Sequence, residues 1–68
     1  MADNEPIIQL DQFMKLQGMV NTGGHAKVVI QGGEVLLNGE VEVRRKKKLT
    51  VGDAVTFNGE TVVVEVAE

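Results

Sequence analysis

From Leu10 onward the apolar positions Leu10, Phe13 and Met14, with Gln17 next in phase, follow a helical spacing. Asp11 stands where a cap or first-turn acid belongs, and Gly18 where a left-handed residue ends a helix, so a helix of about two turns is predicted. Asn21, Thr22, Gly23 and Gly24 then read as a turn feeding a second helix, capped by Thr22 and carrying Ala26, Val29 and Ile30 on one face. Gly33 follows the last periodic residue and closes it.

Beyond Gly33 the period changes to two. Residues 35–37 and 40–43 flank Asn38-Gly39, and residues 54–57 and 60–66 flank Asn58-Gly59. Asn-Gly supplies the two positive φ angles of a type I′ turn, which predicts two hairpins. In the second, a two-residue turn sets Val55 against Val62 and Phe57 against Glu60, placing Val55, Phe57, Val62 and Val64 on one face, the sheet's share of the core. The first is ambiguous: Leu36 and Val41 share one face, while Val35 and Leu37 share the other with Glu42 and Glu40. Val51, Gly52 and Asp53 form the turn into the second hairpin. The fold class is α+β, two short helices packed on a small antiparallel sheet of two hairpins.

At 68 residues this is one small domain. Residues 1–6 are polar and aperiodic and end at Pro6. A disordered leader is expected over 1–7 and a single domain over 8–68. The chain has no Cys, Ser, Trp or Tyr, which excludes disulfides, thiolate metal sites and Ser or Cys nucleophiles. With His25 the only imidazole and the carboxylates dispersed, neither a metal site nor a cofactor is expected. No pair among Asp11, His25 and Asp53 has a spacing that implies proximity, so no enzyme is expected. No apolar run approaches the ~20 residues of a membrane span, and the acidic amino terminus is unlike a secretory signal, so the expectation is a cytoplasmic protein without a membrane partner.

The net charge of −3 conceals a segregation. Arg44, Arg45, Lys46, Lys47 and Lys48 hold five of the seven basic residues, leaving −8 on the remainder. Asp3, Glu5 and Asp11 lie before this run and Asp53, Glu60, Glu65 and Glu68 after it. An acidic background confines polyanion contact to the basic run and favours an oriented binder. The plain alternative is a solvated loop.

The series Leu10-Asp11-Gln12-Phe13, Gly18, Ala26-Lys27, Ile30, Gly33, Val35, Leu37-Asn38-Gly39 and Val51-Gly52-Asp53 resembles the ribosomal protein S-four-type RNA-binding domain, over about residues 8–66. The helix pair and following hairpin of that family form the alpha-L motif. Gly23-Gly24-His25-Ala26-Lys27, Asn38-Gly39-Glu40 and Arg44-Arg45-Lys46 are similar to its small stand-alone bacterial members. The resemblance implies a non-catalytic binder of structured RNA, ribosomal RNA or another folded non-coding RNA, with the ribosome or its subunits as the setting. Where many members carry Ser-Arg at the second helix, this chain has Thr22-Gly23: the hydroxyl cap is kept and a phosphate-binding Arg is missing.

Thr22, Gly23, Gly24, His25, Lys27, Asn38, Arg44, Arg45, Lys46, Lys47 and Lys48 are the candidate RNA contacts. A helix start offers unpaired N–H groups and a positive dipole end, and glycines admit a phosphate; their alternative use is close helix packing. Lys27 adds a point charge one turn on, and Arg offers a planar fork to phosphate oxygens. His25 is a contact, a pH-sensitive charge or an ordinary surface residue. Neutralising about five phosphates implies a log-log salt slope of roughly −3.5 to −4.5. Phe13 and Phe57 both fall on core faces, leaving no aromatic platform for base stacking, so shape and backbone recognition is expected. No small-molecule substrate is implied. The competing reading is a protein-interaction module that docks its basic loop on an acidic partner, or accepts a strand at the edge formed by residues 61–66. A monomer is favoured, with weak dimerisation through Val62, Val63 and Val64 as the variant.

Overall fold

The computed structural model describes residues 7–65, so all of the expected leader over 1–7 except Ile7 lies outside the described residues, as does Val66; the last strand of the second hairpin, expected to run to residue 66, ends at Val63. Helix α1 spans Leu10–Leu16 and helix α2 spans Gly23–Gln31. Gln9 is the N-cap residue of α1, its N–H donating to Gln12 Oε1 at 3.4 Å, and Asp11 sits in the first turn, where its Oδ1 accepts from the Gln12 N–H at 2.8 Å. Both helices end in the same way. The N–H groups of Gly18 and Met19 donate to the carbonyls of Lys15 and Met14, and those of Gly33 and Glu34 to Ile30 and Val29. This six-to-one and five-to-two pairing requires a left-handed residue, supplied by Gly18 at φ 76 and Gly33 at φ 80.

Strands β2 (Val35–Leu37), β3 (Glu40–Val41), β5 (Ala54–Phe57) and β6 (Glu60–Val63) form an antiparallel sheet in the order β3-β2-β5-β6. The second hairpin has the expected register, Val55 opposite Val62 and Phe57 opposite Glu60. Pairing of β2 with β5 settles the first hairpin's buried face. Val35 lies opposite Phe57 and Leu37 opposite Val55, so Val35 and Leu37 turn to the core and Leu36 faces outward with Val41. Hairpin alternation alone could not choose, because the deciding partner lies some twenty residues away along the chain. The core joins Leu10, Phe13 and Met14 of α1, Ala26, Val29 and Ile30 of α2, and Val35, Leu37, Val55 and Val64 of the sheet side, with Val20 and Leu49 closing it.

The basic run departs from expectation. The strand after Gly39 ends at Val41 rather than at residue 43, so Arg44 is not in a strand. Residues 45–48 are not a free loop either. Lys48 and Leu49 form strand β4 (Lys48–Leu49), which pairs antiparallel with β1 (Ile8–Gln9) in a second, two-stranded sheet. Ile7 extends that ribbon by donating its N–H to the Leu49 carbonyl at 2.9 Å.

Candidate nucleic-acid interface

Basic side chains at five successive positions repel one another, so an ordered arrangement needs backbone anchors. Three are present. The Lys47 N–H closes a turn onto the Arg44 carbonyl at 3.2 Å. The carbonyls of Lys47 and Arg45 accept from the N–H groups of Leu10 and Asp11, at 2.8 and 2.9 Å, satisfying donors that the first turn of α1 would otherwise leave open. Leu49, fully buried, ties the end of the run to the core. Arg44, Lys46 and Lys48 are left exposed, with Arg45 and Lys47 half-buried between them. The positive end of the α1 dipole lies against the same segment and adds to its field.

One of the five cations is not free. Glu42 accepts from Arg44 Nε at 2.9 Å, and from the Arg44 backbone N–H at 3.1 Å, both on Oε2. The Arg44 side-chain hydrogen bond is the main cause that holds the Glu42 carboxyl below its ordinary range, with a burial penalty opposing it. Nη1 and the outer part of Nη2 remain available for an incoming anion.

Beside the run is an open concavity of about 600 Å³ that gathers Asn38, Glu40, Glu42, Arg44, Lys47, Lys48 and Asp53. Here the structure brings Asn38 together with three of the basic residues. Both polar atoms of its amide are nevertheless engaged by the fold: Nδ2 donates to Asp53 Oδ1 at 3.1 Å, and Oδ1 accepts from the Ala54 N–H at 2.9 Å. Asp53 Oδ2 in turn accepts from the Thr50 N–H at 2.9 Å. That backbone hydrogen bond is the first cause of the lowered Asp53 carboxyl, followed by a burial penalty against it and the Asn38 and Thr50 side chains in its favour.

Thr22, Gly23, Gly24, His25 and Lys27 are not part of that wall; they form a second group, at the start of α2. Thr22 Oγ1 accepts from the His25 N–H at 3.0 Å, the expected cap. His25 and Lys27 are exposed. Helix packing does not require the two glycines, since a Cβ at Gly23 meets nothing within 4 Å and one at Gly24 meets only Thr22 Oγ1 at 3.8 Å. Neither has a positive φ.

Sequence reasoning missed three contributors: Gln9 as the α1 cap, Glu42 as the partner of Arg44, and Leu49 as the anchor of the basic run. A signal existed only for Leu49, the lone large apolar residue between Lys48 and Thr50. Among the described residues no group of three or more His, Cys, Asp or Glu could hold a metal ion, and no helix is long and apolar enough to cross a membrane.

The model of a family described as the S4 domain matches residues 2–65. The chain is 37% identical over 59 residues to the "Putative RNA-binding protein YbcJ" of Escherichia coli (strain K12), covering 87% of this chain and 84% of that one. It is 45% identical over 53 residues to the "Probable ribosome maturation protein RlbA" of Bacillus subtilis (strain 168), covering 78% and 75%. The solution structure of YbcJ from E. coli, described as revealing an alpha-L motif involved in RNA binding, superposes with a TM-score of 0.68 at 35% identity, covering 91% of this chain and 78% of that one.

Proposed function

The chain belongs to the S4 domain family, and from that premise we propose that it is a non-catalytic, cytoplasmic binder of structured RNA, gripping phosphates with the anchored basic run at residues 44–48. The observation that carries this reading is the anchoring itself. Backbone bonds of Arg45 and Lys47 to α1 and the burial of Leu49 hold the run, so the exposed Lys46 and Lys48, with Arg44 beside Glu42, stand at defined spacing instead of on a mobile loop. The α2 start supplies a second contact, where Gly23 and Gly24 leave open space beside the Thr22 cap and Lys27 adds a charge. Folded ribosomal RNA is the favoured partner, a choice supported by the names of the two relatives and by the absence of aromatic platforms.

Fluorescence-anisotropy titration against an RNA hairpin, its DNA counterpart and a single strand tests this. Wild type binds the folded RNA preferentially, and a triple Arg44→Ala, Arg45→Ala, Lys46→Ala variant loses the binding while retaining its circular dichroism. Because Glu42 already neutralises Arg44, the salt slope is that of four cations, roughly −2.8 to −3.6, and Glu42→Gln steepens it toward the five-cation value. Absence of RNA preference, or an unaffected triple variant, rejects the proposal in favour of an acidic protein partner for the same run.

A further inference from the structure

The two edges of the four-stranded sheet differ. β3 has two residues, and the chain leaves it directly into the Glu42–Arg44 ion pair. β6 has four residues and contains no Lys, Arg or Pro, the residues that ordinarily guard a sheet edge. Its outward groups follow from the hairpin geometry. A two-residue turn makes Phe57–Glu60 and Val55–Val62 the hydrogen-bonded pairs, and the Val64 N–H continues the alternation by donating to the Asp53 carbonyl at 2.8 Å. The N–H and C=O groups of Thr61 and Val63 therefore point away from β5. Among the described residues no strand pairs with that side of β6.

The outer face of the sheet next to this edge is free of charge. Val41, Leu36, Thr56 and Thr61 lie in one row across the four strands, and Ala54 and Val63 in the next. Thr56 and Thr61 share a hydroxyl hydrogen bond at 2.8 Å, and Val63 is 45% exposed. Past Leu49, however, every charged residue of the chain is acidic: Asp53, Glu60, Glu65 and Glu68.

We propose that β6 is a docking edge for an extended, basic segment of a partner protein, which adds as a strand beside Thr61 and Val63. Charge selects this occupant over a second copy of the chain. Antiparallel self-pairing that uses the outward groups of both Thr61 and Val63 runs about a two-fold axis at Val62; it sets Glu60 of one copy opposite Val64 of the other, one residue from its Glu65, so like charges gather at both ends of the ladder. A segment with Lys or Arg on either side of a β-branched run replaces both repulsions by attraction. The edge is a surface separate from the basic run, so the proposal stands whatever that run binds.

The probe is a blocked peptide of sequence KKVTVTKK, with EEVTVTEE as its charge-reversed counterpart, added to the isotopically labelled full chain. Binding of the first slows hydrogen exchange and shifts the amide resonances at Thr61 and Val63; the second leaves them unmoved. Val63→Pro removes an outward donor without breaking a bond to β5 and weakens binding roughly tenfold, the order expected for a lost intermolecular hydrogen bond. A Glu60→Lys, Glu65→Lys variant, which leaves the β5–β6 ladder intact, reverses the peptide preference. RNA titration of both variants separates failure of this site from failure of the basic run. Equal response to both peptides, perturbation confined to residues 44–48, or protection of Thr61 and Val63 that rises with the concentration of the chain alone overturns the proposal, the last in favour of a second copy.

Discussion

Asn38 illustrates how one residue type serves two purposes. With φ at 54 it occupies the first position of the I′ turn, and its amide ties that turn to Asp53 and to the first residue of β5. Asn38→Ala is therefore expected to cost about 1–2 kcal/mol, from the left-handed backbone and the two lost hydrogen bonds. The change also reaches the pH dependence. The Asp53 carboxyl is lowered in the folded state, by the Thr50 N–H first and with help from Asn38. A group lowered on folding stabilises above its unfolded value, about 3.9 for Asp, and that contribution is lost as pH falls through the folded value. Urea titrations between neutral pH and pH 2 check this: wild type loses stability toward acid, and Asn38→Ala loses less. Equal acid losses in the two proteins would show that Asn38 does not act through Asp53.

At the scale of elements, α1 and the basic run form one unit, because the carbonyls of Arg45 and Lys47 occupy the first N–H groups of the helix. The side chains of the run are thereby placed by backbone bonding, and the charges other than that of Arg44, which Glu42 pairs, are free for a ligand. The start of α2 is the contrary case. The room beside Gly23 and Gly24 has no intramolecular use, and glycine in a helix costs about 0.5–1 kcal/mol relative to alanine. Gly23→Ala with Gly24→Ala is expected to raise thermal stability modestly and to weaken RNA binding roughly threefold or more, if a phosphate approaches the backbone there. Melting curves and anisotropy titrations on the same variant check it. A gain in stability with unchanged affinity would remove the α2 start from the proposed interface.

On the scale of the whole molecule, a Cα radius of gyration of 11.1 Å leaves room for a single core of small volume. A core in a domain of this length yields only about 3–5 kcal/mol of net stability. Leu49 is fully buried in it and directly follows the five cations. Leu49→Ala removes about 2–5 kcal/mol, comparable with the whole, and is expected to leave the chain largely unfolded at 25 °C by circular dichroism. A cooperative melt close to that of wild type would show that the core tolerates the cavity and that the run is anchored chiefly by its bonds to α1.

The order of elements was legible in the sequence because local chemistry specifies it: Gly18 and Gly33 at helix ends, Thr22 as a cap, and Asn-Gly at two hairpin turns act over a few residues each. The same holds for the separation of five cations from an acidic remainder, which is covalent order and survives any fold. Tertiary structure alone decided what depends on distant partners. The face of β2 was chosen by β5, the ends of the basic run were set by β1 and α1, and Glu42 took one cation out of the free set. Alternation and charge count are silent on such pairings, since the partner that breaks each tie is brought near only when the core closes.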